Sequence, residues 1–379
     1  MKIDFNIEKD ESTRAQIACF APLHGCKEMH VLFQSELFGT FEQQANLLKN
    51  GIEKFCERHS EYTLMFCRVL LSDASNQQVY TAELMKEVVR GATLSIVQQP
   101  PLDGSKMSVL AYFATEMTQD EKQMSLFHHN GYSHLWLSEI GKEYNSYLQS
   151  VELLTSQENL LKEMEMTTRD NCIRTWFYVQ NIDVNYTDMV NGRKSAFNLL
   201  GLKQDTHYIA STGIEGRTAA SSSIILLDSY NVKGLQKEQV QYLHALTHLN
   251  PTYEYGVTFE RGTAVSYGDR KHLFLSGTAS INNKGEIMHV GDVVKQTLRM
   301  WENSEALLSE AGGTMDDFAH IVVYLRDYAD YETIKKMFEE RFPHTPFIIV
   351  HAPVCRPGWL IEMEGVAIVE NNQSQFANF

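Results

Sequence analysis

Nowhere in this 379-residue chain do 18 apolar residues run together, which excludes a membrane-spanning helix. No basic patch is visible either. The 33 Lys and Arg are dispersed among 48 Asp and Glu, for a formal net charge of −15, so the footprint that a nucleic-acid binder needs is missing. The opening residues, MKIDFNIEKDESTR, lack the basic-then-apolar order of a secretion leader. Six cysteines, at 19, 26, 56, 67, 172 and 355, show no CxxC spacing, and the HGC ending at Cys26 has no second cluster to complete a metal site. Reduced thiols, a cytoplasmic address and no bound metal are therefore expected. No GK[ST] or GxGxxG follows a strand, so there is no phosphate loop. An acidic chain that binds an anion must gather a few arginines locally.

What the chain does have is a core and a repeated grammar. Apolar residues make up 43% and charged residues 21%, as in a globular protein. In the last third, an amphipathic helix (DVVKQTLRMWENSEALLSEAGG, with Val294, Leu298, Trp301, Leu307 and Leu308 near helical spacing) precedes a β-branched strand (HIVVYLRD). A second helix (DYETIKKMFEERF) and two strands (TPFIIVHAPV, WLIEMEGVAIV) follow. The middle third repeats this order from SYLQSVELLTSQENLLKEM, and the first third does so more faintly from FEQQANLLKNGIEKFCERH. The spacing predicts three α+β units, at 1–125, 126–245 and 246–379, each a mixed sheet with two helices on one face. No linker rich in Pro, Gly or Ser separates them, so they should pack together. The polar tail NNQSQFANF is expected to fray.

One strand carries an anomaly. In WLIEMEGVAIV, Glu362 and Glu364 share a face, while Ile361 and Met363 point the other way. Val366 and Ile368 continue the glutamates' face, so a neighbouring unit should cover it. A carboxyl group at the edge of a covered face has its pKa raised by desolvation, the condition for delivering a proton near neutral pH. Exposed alternation is the plainer reading.

The segments LFLSGTASINNKGEIMHVGDVVKQT, VVYLRDYADY and VCRPGWLIEMEGVAI resemble the Rid/YjgF family of small trimeric proteins, whose best-known members hydrolyse enamines and imines. The likeness is closer to the chorismatases, longer relatives that cleave the enolpyruvyl ether of chorismate and release pyruvate. The resemblance covers roughly Ile173 to the C-terminus. It implies an intrachain pseudo-trimer with sites between neighbouring units. It places Glu362 as the catalytic glutamate and Glu364 as its neighbour, and puts Cys355 where hydroxybenzoate-forming chorismatases carry an active-site cysteine. RTWFY and NGR resemble the segment giving aromatic and basic contacts, which points to Arg174, Tyr178 and Arg193, although the NYTDMV around them departs from the pattern. Arg261, in TFERGTA, is a further candidate for a substrate carboxylate. Gly213, in STGIEG, reads as a turn or as a middle-unit contribution to the site. Ser276 and Thr278, in SGTAS, read equally as close packing and as ligand contact. The implied partner is a small anionic metabolite like chorismate, with no cofactor, no nucleic acid and no membrane; self-association is left open.

Two other readings stand beside this one. A Rid-type deaminase would carry an arginine on the strand before the catalytic one, but that position falls near Ile349, which is uncharged. A non-catalytic binder could keep the fold alone. In the other units Ser108 and Leu226 fall at the glutamate's place, so one competent site per chain is expected.

Overall fold

The computed structural model describes residues 2–10 and 12–379. The first unit runs β1 (Asp4–Asp10), β2 (Thr13–Phe20), β3 (Glu28–Ser35), α1 (Phe41–Arg58), β4 (Tyr62–Leu71), α2 (Ala74–Val89), β5 (Thr93–Gln98) and β6 (Met107–Thr115). The second runs β7 (Thr118–Gln119), β8 (Leu126–His129), β9 (Tyr132–Ile140), α3 (Ser146–Glu163), the short α4 (Thr168–Asn171), β10 (Cys172–Val179), α5 (Ile182–Leu200), β11 (Ala210–Glu215) and β12 (Ile225–Lys233). The third runs β13 (Val240–Leu243), β14 (Gly262–Ser266), β15 (Arg270–Ala279), α6 (Val293–Glu310), β16 (Phe318–Leu325), α7 (Tyr331–Arg341), β17 (Phe347–His351) and β18 (Ile361–Glu370).

Each unit is one six-stranded sheet with a single strand order. The orders are β1-β2-β3-β6-β4-β5, β7-β8-β9-β12-β10-β11 and β13-β14-β15-β18-β16-β17. Only the last pair of each is parallel, because a crossover helix joins those two strands. The fold is α+β, three tandem units of one design. β6, β12 and β18 lie inside their sheets and are buried along nearly their whole length, by helices on one face and by the other units' sheets on the second.

The registers align the three units rung by rung. Ser108 pairs with Leu70, Leu226 with Tyr178 and Glu362 with Tyr324. These are equivalent positions on the faces that meet along the pseudo-threefold axis. Aromatic rings join the units there: Phe66 stacks on Trp136 across the first interface at 4.5 Å, and Tyr230 lies 5.5 Å from Phe274 across the second. Each interface also holds one buried arginine–carboxylate pair. Arg68 bonds Asp228 between the first two units (2.8 Å), Arg174 bonds Glu364 between the second and third (2.7 Å), and Arg270 bonds Glu28 between the third and first (2.5 Å).

Two local expectations change. On α6, Val294 and Leu298 are exposed, at 38% and 47%, while Leu307 and Leu308 are buried. The inward face of its first turns carries Gln296 and Thr297 instead, because that end packs on backbone polar groups rather than on apolar side chains. The tail does not fray. Phe379 is fully buried, its N–H donates to Asp269 (2.9 Å), and its ring lies 4.7 Å from His272 and 5.0 Å from His134. It closes one end of the axis, an apolar contact that the polar residues before it hide from a composition argument.

The six cysteines are free thiols. Among the described residues no helix is long and apolar enough to cross a membrane, and no cluster of three His, Cys, Asp or Glu could hold a metal.

Candidate active site

The two glutamates of β18 face inward, and both are nearly inaccessible, at 5% for Glu362 and 3% for Glu364. Their surroundings differ. Glu364 is saturated: Arg174 Nη2 donates to Oε2 (2.7 Å), Trp176 Nε1 donates to Oε1 (2.7 Å), and the Thr212 hydroxyl donates to Oε2. All three donors come from the middle unit. Glu362 lines a small cavity at the same interface. Burial, then the charge of Glu364, pushes its carboxyl up to about 8 against the opposing pull of Arg174 and Arg261.

A register slip builds this cavity. Along β15 the pairing with β18 shifts between Leu275 and Thr278, so Gly277 stands out as a bulge. A Cβ at Gly277 would overlap Glu362 Oε1 and come within 3.1 Å of Thr212 Cγ2. Only a residue without a side chain lets the carboxyl group and β15 share that space. The Gly277 N–H donates to Thr212 Oγ1 (2.9 Å), which ties the bulge to the middle unit. Helix α6 holds the other edge. Its Asn303 side chain donates to the carbonyls of Ala279 and Ile281, both at 3.0 Å. Gln296 accepts from the Leu360 N–H and donates to the Gly358 carbonyl, both at 2.9 Å.

The opposite wall is cationic and aromatic. Arg193, on the buried face of α5, donates to Ser211 Oγ (3.3 Å), and Arg261 donates to the Asn250 carbonyl (3.1 Å). Phe259 lies between them, its ring centroid 5.9 Å from the Arg193 guanidinium and 5.4 Å from that of Arg261. Planar guanidinium groups suit carboxylate ligands. Above Glu362, the Cys355–Trp359 segment covers the cavity, with Arg356 stacked on Trp359 at 4.8 Å. Arg326 anchors this segment by donating to the Val354 carbonyl while gripping Asp183 of α5 through two bonds, at 2.9 and 3.0 Å. Burial and the nearby Glu362 push the Cys355 thiol up to about 12, so it is a neutral thiol at physiological pH and not a thiolate.

Of the residues singled out in the sequence, Glu362, Cys355, Arg193, Gly213 and Arg261 come together around the cavity. Four others do not line it. Arg174 is spent on Glu364 and on the carbonyls of Thr175 and Leu275. Tyr178 faces the axis beneath Arg68, 5.3 Å from its guanidinium. Ser276 donates to the Glu260 carbonyl and accepts from the Ser211 N–H, and Thr278 donates to the Ser276 carbonyl, so both are packing groups. Sequence reasoning passed over Gly277, Thr212, Tyr186, Phe259 and Arg356. The glycine inside the strand-like SGTAS was the one available signal, since such a glycine marks a bulge or a close approach.

The family described as endoribonuclease L-PSP matches residues 263–369, most of the third unit. Over 99 residues the chain is 33% identical to a 3-aminoacrylate deaminase, RutC, of Acinetobacter baylyi, covering 26% of this chain and 79% of that protein. Over 218 residues it is 28% identical to a 3-hydroxybenzoate synthase of Streptomyces hygroscopicus, covering 52% of this chain and 63% of that one. Among solved structures, a chorismatase crystal structure superposes with a TM-score of 0.64 at 20% identity, over 80% of this chain and 93% of that one. The repeated sheet and these matches agree: the chain belongs to the Rid/YjgF superfamily, and its fold is similar to that of a chorismatase over most of its length.

Proposed function

We propose that this protein is a chorismatase-like enzyme that cleaves the enolpyruvyl ether of chorismate and releases pyruvate. The observation that carries the reading is Glu362, a carboxyl group kept neutral to about pH 8 in a cavity walled by Arg193 and Arg261. Neutral Glu362 donates its proton to the terminal methylene of the enol ether, which makes an oxocarbenium ion. The carboxylate left behind stabilises that cation, as carboxylates do in glycoside cleavage. Capture of the cation by water, followed by collapse, gives pyruvate and a dihydrodiol. Capture by a ring hydroxyl with aromatisation gives pyruvate and a hydroxybenzoate without net water. The neutral thiol of Cys355, beside Glu362, and the likeness to a 3-hydroxybenzoate synthase favour the second outcome. The arginines would hold the substrate's two carboxylates. The net charge of −15 speaks against an RNA substrate, whatever the matching family is called.

A Rid-type deaminase is the second reading, favoured by the identity to RutC over the third unit. Against it, β17 offers only apolar Ile348, Ile349 and Val350 where those enzymes carry an arginine.

The test is incubation with chorismate, with pyruvate assay and identification of the aromatic product, using E362Q as control. Stoichiometric pyruvate from the wild type, falling about 100-fold or more in E362Q, supports the reading. Full activity in E362Q, or faster turnover of a dehydroamino acid than of chorismate, overturns it.

A further inference from the structure

Glu364 has no place in the chemistry just described, yet it is the most heavily bonded carboxylate near the cavity. Its counterpart in the middle unit is Asp228, which pairs with Trp176 across the sheet as Glu364 pairs with Val322, and which binds Arg68 across the first interface. So far Glu364 looks like one more interface clamp. What differs is two residues away: Leu226 stands next to Asp228, and Glu362 stands next to Glu364.

We propose that Glu364 is a positioning residue for proton transfer: fixed as a carboxylate by Arg174, Trp176 and Thr212, it keeps Glu362 protonated and oriented toward the cavity. The geometry gives the reason. The two carboxyl groups lie on one face of one strand, both buried, where little water screens one from the other. Three donors of the middle unit converge on Glu364: the Arg174 guanidinium, the Trp176 indole and the Thr212 hydroxyl. Two adjacent carboxyl groups in such a place cannot both ionise cheaply, so the one with the donors ionises and the other keeps its proton. Thr212 links the two roles, because its oxygen also accepts the N–H of Gly277, the bulge against which Glu362 rests. The middle unit would thus set the protonation state of an acid that belongs to the third unit. The charged and titratable groups around Glu362 from other elements are Tyr186, Arg193 and Arg261 on the cavity wall, Cys355 with Arg356 on the covering segment, Tyr324 opposite it on β16, and Arg174, whose charge also reaches it.

This inference rests on reading Glu362 as the proton donor, so its test does not depend on turnover. The carboxyl carbon of Glu362 is followed by 13C NMR across pH in the full chain labelled at glutamate, assigned by its absence in E362Q. E364Q and D228N are compared. Each removes a buried carboxylate paired to an arginine across an interface, but only the first lies beside Glu362. The expected result is a midpoint near 8 in the wild type, lowered by about one pH unit or more in E364Q and unmoved in D228N. The kcat/KM profile for pyruvate release would shift in the same direction. A midpoint unchanged in E364Q, or moved equally by D228N, overturns the proposal. If E364Q does not fold, the wild-type spectrum decides: an ionised Glu362 at about pH 6 overturns it, and a protonated Glu362 beside an ionised Glu364 supports it. Should chorismate not be consumed while the midpoints behave as stated, the assigned reaction falls and the role of Glu364 stands.

Discussion

A carboxyl group protonates carbon near neutral pH only where losing its own proton is costly, and burial beside a second, ionised carboxylate provides that at Glu362. The same fact has a consequence for stability. The folded-state pKa of Glu362 lies above its unfolded value, so the native chain holds a proton that the unfolded chain has lost, and the contribution of this group to stability falls as pH rises from about 4.5 to about 8. E362Q removes that dependence. At about pH 9 it should melt above the wild type, by on the order of a few kcal/mol, with little difference at about pH 5. Thermal melts at the two pH values check this, and equal melting at both contradicts it. That Glu362 and Glu364 share a face was legible from their spacing alone. Their opposite roles were not, because the donors that separate them, Trp176 and Thr212, arrive from a different unit some 150 to 190 residues away.

Among the elements, strand β15 and its bulge matter most to the site. Gly277→Ala places a methyl group where Glu362 Oε1 and Thr212 now lie, so either the carboxyl group rotates away or β15 shifts. Pyruvate release should drop on the order of 100-fold while the fold, read by circular dichroism, is kept. A variant with wild-type rates would show that the bulge does not seat the acid. Gly213→Ala is a milder perturbation of the facing strand, since its Cβ would meet Tyr186 at 3.1 Å and Met189 at 3.2 Å, and it should raise KM more than it lowers kcat. Helix and strand order were readable from periodicity, and β18 from its alternation. The inward face of α6 was not: Gln296 and Asn303 bond backbone rather than fill space, and no apolar pattern reports that. Arg174 and Tyr178 looked like ligand contacts because a motif names residue types, whereas register decides which of them reach the cavity.

For the molecule as a whole, one chain closes three sheets around an axis filled with aromatic rings and buried ionisable groups. His30 and His320 meet through their Nδ1 atoms at 3.0 Å, next to Glu28, Tyr112 and His272. Burial pulls His30 down to about 4 and His134 to about 3, and holds His320 well below its ordinary value. These folded-state values lie below the unfolded one, so their contribution is complete above about pH 6.5 and is lost as pH falls through the range below it. Glu28, held down by His272 and Arg270 despite its burial, adds a loss at still lower pH. Acid should therefore separate the units cooperatively, with the melting temperature falling steadily below about pH 6.5; a flat profile down to about pH 4.5 would refute the axial histidines as its cause. The three-part plan could be read from the repeat. The plug at the end of the axis could not, since Phe379 sits in a polar tail; F379A should cost about 3 kcal/mol in denaturant unfolding.

The most direct single measurement is pyruvate release from chorismate as a function of pH, for wild type and E362Q side by side. A donor acid with a midpoint near 8 predicts kcat/KM that is level below that pH and declines above it, with E362Q close to background throughout. A rate that climbs through pH 8, or an E362Q profile matching the wild type, would contradict the assignment of Glu362 as the proton donor.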